Sequence, residues 1–116
     1  MEPIEAGLIR GRHELPVEKY IFEEIENPLD FSAIYMRAES FVMNECNVRE
    51  VYGRAVNSAS YTDDCIYEGE FALVLYVTGL SSALAAVVKA CAKNGVSLTL
   101  MHFDRESGDY RPQRIF

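Results

Sequence analysis

At 116 residues, 49% hydrophobic and 25% charged, the chain has room for one domain with one core and lacks the bias of a disordered sequence. Its net charge of −7 argues against sequence-independent nucleic-acid binding, which needs a basic footprint. No apolar run approaches the roughly 20 residues of a membrane span, and the acidic start Met1-Glu2-Pro3-Ile4-Glu5 reads as neither signal nor transit peptide. The expectation is a single cytoplasmic domain over residues 1–116, with no membrane contact.

Residues 4–12 alternate loosely and predict a strand ending in Arg10-Gly11-Arg12-His13, where Arg10 and Arg12 share a face of the extended chain. After Pro16, residues 19–25 read as a second strand, close enough to the first to pair antiparallel. Asn27-Pro28-Leu29-Asp30 is a helix start: Asn as N-cap, Pro in the first turn, Asp at the positive end of the dipole. Phe31, Ile34, Tyr35, Ala38, Phe41 and Val42 then recur at helical spacing to about Glu45, and Asn47 is a left-handed stop.

Val48 to Val56 reads as a strand near an edge, and Asn57 to Gly69 as a polar loop. The acids there, Asp63, Asp64 and Glu68, are read as solvated surface, like Glu23, Glu24 and Glu26. Phe71 to Thr78 is the strongest strand, apolar on both faces as a central strand covered on two sides should be. Leu80 to Asn94 follows as a helix with a stripe of Leu80, Leu84, Val87, Val88 and Cys91, its other faces mostly alanine. So apolar a girth predicts that a partner subunit covers part of this helix. Asn94-Gly95 ends the helix, and Val96 to Phe103 is again an apolar strand.

Strand, helix and strand make a right-handed parallel crossover. A polar turn over residues 104–109 leads to a short terminal strand, placed at an edge by Pro112. The fold class expected is α/β: a mixed sheet of five to six strands flanked by two helices, with a C-terminal βαβ crossover.

No catalytic or metal motif stands out. Cys46, Cys65 and Cys91 have neither disulfide nor zinc spacing and read as small buried hydrophobes, and His13 and His102 are isolated. No cofactor is implied. Eight of the eleven basic residues are arginine, the side chain suited to bidentate contact with phosphate or carboxylate.

Two places could hold an anion. The turn Thr78-Gly79-Leu80-Ser81-Ser82 presents backbone N–H groups and a helix N-terminus, although Ser81 also fits a simple N-cap. Parallel geometry brings the end of the last parallel strand, His102, Asp104 and Arg105, to the same sheet edge; the plain alternative there is a surface turn with a local Asp–Arg pair. Arg10 and Arg12 end another strand and could join them. Together these residues outline a pocket for a small anionic nucleotide.

The run Leu73-Val74-Leu75-Tyr76-Val77-Thr78-Gly79-Leu80, its alanine-rich helix, and His102-Phe103-Asp104-Arg105-Glu106-Ser107-Gly108 resemble small phage and prophage proteins. The order of elements is similar to the phage anti-Thoeris family, which sequesters cyclic ADP-ribose signals. The resemblance covers the architecture and, best, the region from Phe71 onward; it transfers no individual site residue. It implies a homo-oligomeric sponge that binds a cyclic nucleotide without cleaving it. Ranked behind sequestration are an acidic protein-binding inhibitor (anti-CRISPR, antirestriction or immunity protein) and, last, a small nuclease acting on cyclic nucleotides through Arg105 and His102.

Overall fold

In the computed structural model, which describes residues 2–11, 14–51 and 66–116, the chain runs β1 (Ile4–Ile9), β2 (Tyr20–Phe22), α1 (Phe31–Glu45), β3 (Val48–Val51), β4 (Ile66–Gly69), β5 (Leu73–Tyr76), α2 (Ser81–Lys93), β6 (Leu98–Asp104) and β7 (Asp109–Arg114). The main sheet has the order β2-β1-β5-β6-β7; its first four strands are parallel and β7 is antiparallel to β6. The fold is mixed α/β, as the periodicity predicts.

The C-terminal crossover forms as expected. β5 and β6 pair in parallel with Leu73 opposite Leu98 and Leu75 opposite Leu100. These four leucines are buried under the helices. Gly95 ends α2 at φ +63, and a Cβ there would collide with the Tyr67 carbonyl oxygen, so this position requires glycine twice over. β7 is an edge strand, with Pro112 opposite Met101.

Four expectations are corrected. β1 and β2 are parallel, Gly7 opposite Tyr20 and Ile9 opposite Phe22. Their connection does not turn back tightly. It carries Leu15 to Gly7, where the absent Cβ leaves room for Leu15 and for the Tyr20 ring. α1 is capped by Asp30, whose carboxylate accepts from Ala33 N–H at 3.2 Å; Asn27 instead closes the preceding turn on Leu29 N–H at 3.0 Å. Phe31, expected in the core, is 61% exposed, while Ile34, Ala38, Phe41 and Val42 are buried. β3 is no edge of the main sheet: with β4, drawn from the expected polar loop, it makes a separate antiparallel ribbon. The stretch from 52 to 65, including Asp63, Asp64 and Cys65, lies outside the described residues.

The helices do not flank the sheet on opposite sides. α1 carries the chain from β2 to β5 and α2 from β5 to β6, both in the same direction across the sheet. Two crossovers of one hand and one direction put their helices on one face. The helices touch there: Lys89 lies 4.4 Å over the Tyr35 ring, and Lys93 pairs with Glu39 at 3.4 Å. α1 therefore covers a second side of α2, which accounts for much of its apolar girth without another subunit. The opposite sheet face, with Val74, Tyr76, Thr99 and Met101, carries no helix among the described residues.

Candidate functional site

Four parallel strands end at one sheet edge, and there a cleft of about 560 Å³ opens between the turn after β5 and the start of the β6–β7 turn. Its lining includes Thr78, Gly79, His102 and Arg105, so the two separately proposed places do converge. Phe103, Tyr110, Val77, Glu14 and Leu15 complete it.

Thr78 is 4% exposed, and its hydroxyl oxygen has no hydrogen-bond partner. Leaving a hydroxyl buried and unpaired costs about 1–3 kcal/mol, and a threonine here has an obvious apolar isostere in valine. Next to it, a Cβ added to Gly79 would meet nothing within 4 Å, and Gly79 is not among the positive-φ glycines. The backbone at this point faces free space.

The aromatic wall comes from alternation on β6 and its pairing with β7. Phe103 stands opposite Tyr110 in the ladder, with ring centroids 5.4 Å apart, and Tyr76 meets Tyr110 edge-on at 4.9 Å. Phe103 is 54% exposed, so part of its ring is available to a planar ligand.

The charges sort differently from a local Asp104–Arg105 pair, the plain alternative at this turn. The Asp104 carboxylate accepts from Arg111 Nε at 2.7 Å, from the Glu106 N–H at 3.0 Å and from Ser107 Oγ at 3.1 Å. Arg111 above all, then these turn donors, hold its carboxyl below the usual range. Asp104 thus organises the turn. Arg105 is exposed on the cleft and makes no ion pair among the described residues. His102 is oriented by Gln113, Nε2 to Oε1 at 2.8 Å.

Other expected site residues lie apart. Leu80, not Ser81, is the N-cap of α2 and offers no side-chain cap; Ser81 is the first helical residue. Ser82 Oγ donates to the Pro28 carbonyl at 3.0 Å, tying α2 to the segment before α1. Neither serine lines the cleft. Arg10 is bonded to Glu23 and stacked 4.4 Å over Tyr20, in a different hollow shared with Arg37 and Phe41. Arg12 and His13 lie outside the described residues.

Two observations bear on chemistry. Burial pushes the Cys46 thiol up to about 11 and that of Cys91 up to about 12, so both stay protonated and unreactive at neutral pH. Among the described residues no cluster of three His, Cys, Asp or Glu side chains could hold a metal ion, and no helix is long and apolar enough to cross a membrane. A larger hollow of about 640 Å³, lined by Pro3–Glu5 and Leu15–Lys19, holds carboxylates of Glu5 and Glu18, and the one cation among its described lining residues, Lys19, is paired with Glu45. It suits an anion less well than the cleft at the strand ends.

Sequence reasoning missed Glu14 and Leu15, whose placement depends on the parallel β1–β2 pairing. Phe103 and Tyr110 had a signal: period-2 alternation from Thr99 and Met101 puts Phe103 on one face, and a hairpin register puts Tyr110 beside it. Compared with known proteins, the chain matches no family model, no curated protein and no solved structure.

Proposed function

We propose that the strand-end cleft binds a small anionic molecule with a planar ring, of the nucleotide class, and holds it without turnover. The observation that carries this reading is the buried, unpartnered Thr78 hydroxyl in a cleft also lined by Arg105, which makes no ion pair among the described residues. Arg105 matches a phosphate in bidentate fashion. Thr78 Oγ1 supplies a hydrogen bond to a ligand oxygen, the open space at Gly79 admits close approach to the backbone, and Phe103 and Tyr110 meet a base. Glu14 and His102, at the rim, are placed to read ribose or base polar groups.

Binding is favoured over cleavage because the polar groups present are not set up as a nucleophile and its base. The Thr78 hydroxyl is hydrogen-bonded to no base among the described residues, the Cys46 and Cys91 thiols are buried, and Asp104 is committed to its turn. The biological use proposed is sequestration of a cyclic nucleotide or ADP-ribose-type signal by a phage-type anti-defence protein. The sequestering species is proposed to be a homo-oligomer, since no helix among the described residues covers the sheet face beside the cleft.

A thermal-shift panel tests this, spanning cyclic mononucleotides, cyclic dinucleotides, ADP-ribose and its cyclic form, followed by heat release and chromatography. A shift with one class and recovery of intact ligand is expected. Fragments in place of intact ligand would mean catalysis, and no shift across the panel would sink the nucleotide reading. The net charge of −7 favours a second reading, an inhibitor of a basic protein. A silent panel together with a salt-sensitive complex with a basic nuclease would select it.

A further inference from the structure

Parallel strands are ordinarily covered on both faces, because βαβ connections bring helices to each. Here both helices lie on one face. On the other, Leu15 and the Tyr20 ring fill the space over Gly7, but among the described residues no helix covers β5, β6 and β7. Val74, Tyr76, Met101 and Tyr110 are half-buried there, and Phe103 and Pro112 are exposed. Tyrosine, phenylalanine and methionine are the residues enriched at the centres of protein interfaces.

The register adds an electrostatic pattern to this surface. Glu5 pairs with Val74, Val74 with Thr99, and Thr99 with Arg114, so the four form one row across the bare face. The row is acidic at one end, uncharged in the middle and basic at the other. Glu5 and Arg114 are both exposed and make no ion pair among the described residues. Three strand spacings separate their backbones, about 14 Å, so they cannot neutralise each other within one chain.

We propose that a second copy of this chain packs face to face on this surface, about a two-fold axis that runs parallel to the strands between β5 and β6. That operation lays the row on itself reversed. Glu5 then meets Arg114 of the partner subunit, and Arg114 meets Glu5 of the partner subunit. Tyr76 packs over Met101 of the partner subunit, and Val74 over Thr99 of the partner subunit. A two-fold axis perpendicular to the strands would set like charges against each other, so the charge pattern selects the first arrangement. The result is an aligned sandwich of two sheets with ion pairs at its rim. Phe103 and Tyr110 belong to the same face, so the partner also roofs the cleft. That last point rests on reading the cleft as a binding site; the dimer does not.

Sedimentation velocity of the full chain without ligand tests the dimer, and nucleotide binding is measured separately, so the two can fail independently. The wild type is expected to dimerise. Glu5→Arg and Arg114→Glu should each weaken the dimer about tenfold or more by bringing like charges together, and the double variant should restore it. Tyr76→Glu should give a folded monomer, with circular dichroism as the check on folding. Because Glu5 and Arg114 are too far apart to pair within a chain, rescue by the double swap is specific to an intermolecular contact. A wild type that stays monomeric at its highest soluble concentration overturns the proposal, including a monomer whose aromatic face captures single-stranded RNA instead. So does a dimer indifferent to both charge reversals.

Discussion

Thr78 has the one buried side-chain polar atom without a partner among the described residues, and it sits in the candidate cleft. If that hydroxyl is kept for a ligand, it costs stability in the free chain. Thr78→Val should therefore raise the unfolding free energy by about 1 kcal/mol in urea titrations while weakening nucleotide binding. A valine that leaves affinity intact would remove Thr78 from the site. Arg105→Ala makes the complementary case: its loss should cost roughly 10- to 100-fold in affinity, the worth of a charge-assisted hydrogen bond, with little change in stability. Gly95→Ala should act in the opposite sense, through φ +63 and the Tyr67 carbonyl, and destabilise by more than about 1 kcal/mol with no direct effect on the cleft. Residue identity singled out Arg105 as a candidate anion contact, and it lines the cleft. It could not show that Asp104 turns to Arg111, seven positions on, because that pairing depends on the β6–β7 register.

At the scale of elements, the α1–α2 pair holds most of the perturbed groups. Tyr35 Oη donates to Glu39 at 2.6 Å, and Glu39 also accepts from Asn94 and pairs with Lys93. Burial, then Glu39, raises Tyr35 from 10.0 to about 12, and burial raises Cys46 and Cys91 from 9.0 to about 11 and about 12. In all three the folded chain holds its proton more tightly than the unfolded chain. Their contribution is thus complete below pH 9, and it is lost as the pH climbs toward 12. Thermal melts under reducing conditions should show Tm falling from about pH 9 upward, less steeply in a Cys46→Ala/Cys91→Ala double variant. A flat profile over that range would contradict the burial of these groups.

The elements themselves were legible to different depths. The crossover from β5 to β6 was plain, since a short apolar strand, a helix with one stripe and an Asn-Gly stop leave few topologies. The β1–β2 pairing was not, because a segment as short as Tyr20–Phe22 carries no mark of direction; Leu15 packed on Gly7 decides it. The apolar run of β5 pointed to cover on both faces. It could not say that both helices take the same one, which follows only from the strand order.

For the whole molecule, that one-sided layering connects cleft and assembly. The edge where the parallel strands end offers the cleft, and the face beside it, free of helices among the described residues, is the surface proposed for a second copy, with Phe103 and Tyr110 common to both. The central claim is that a ligand occupies the space against Thr78 and Gly79. Calorimetric titration of the panel's best nucleotide into wild type and Gly79→Val tests it most directly, because a Cβ at position 79 meets nothing within 4 Å in the free chain, and Tm is measured alongside to check that the valine is accommodated. Valine is expected to abolish measurable binding at an unaltered Tm. Equal affinity in the two proteins would contradict it.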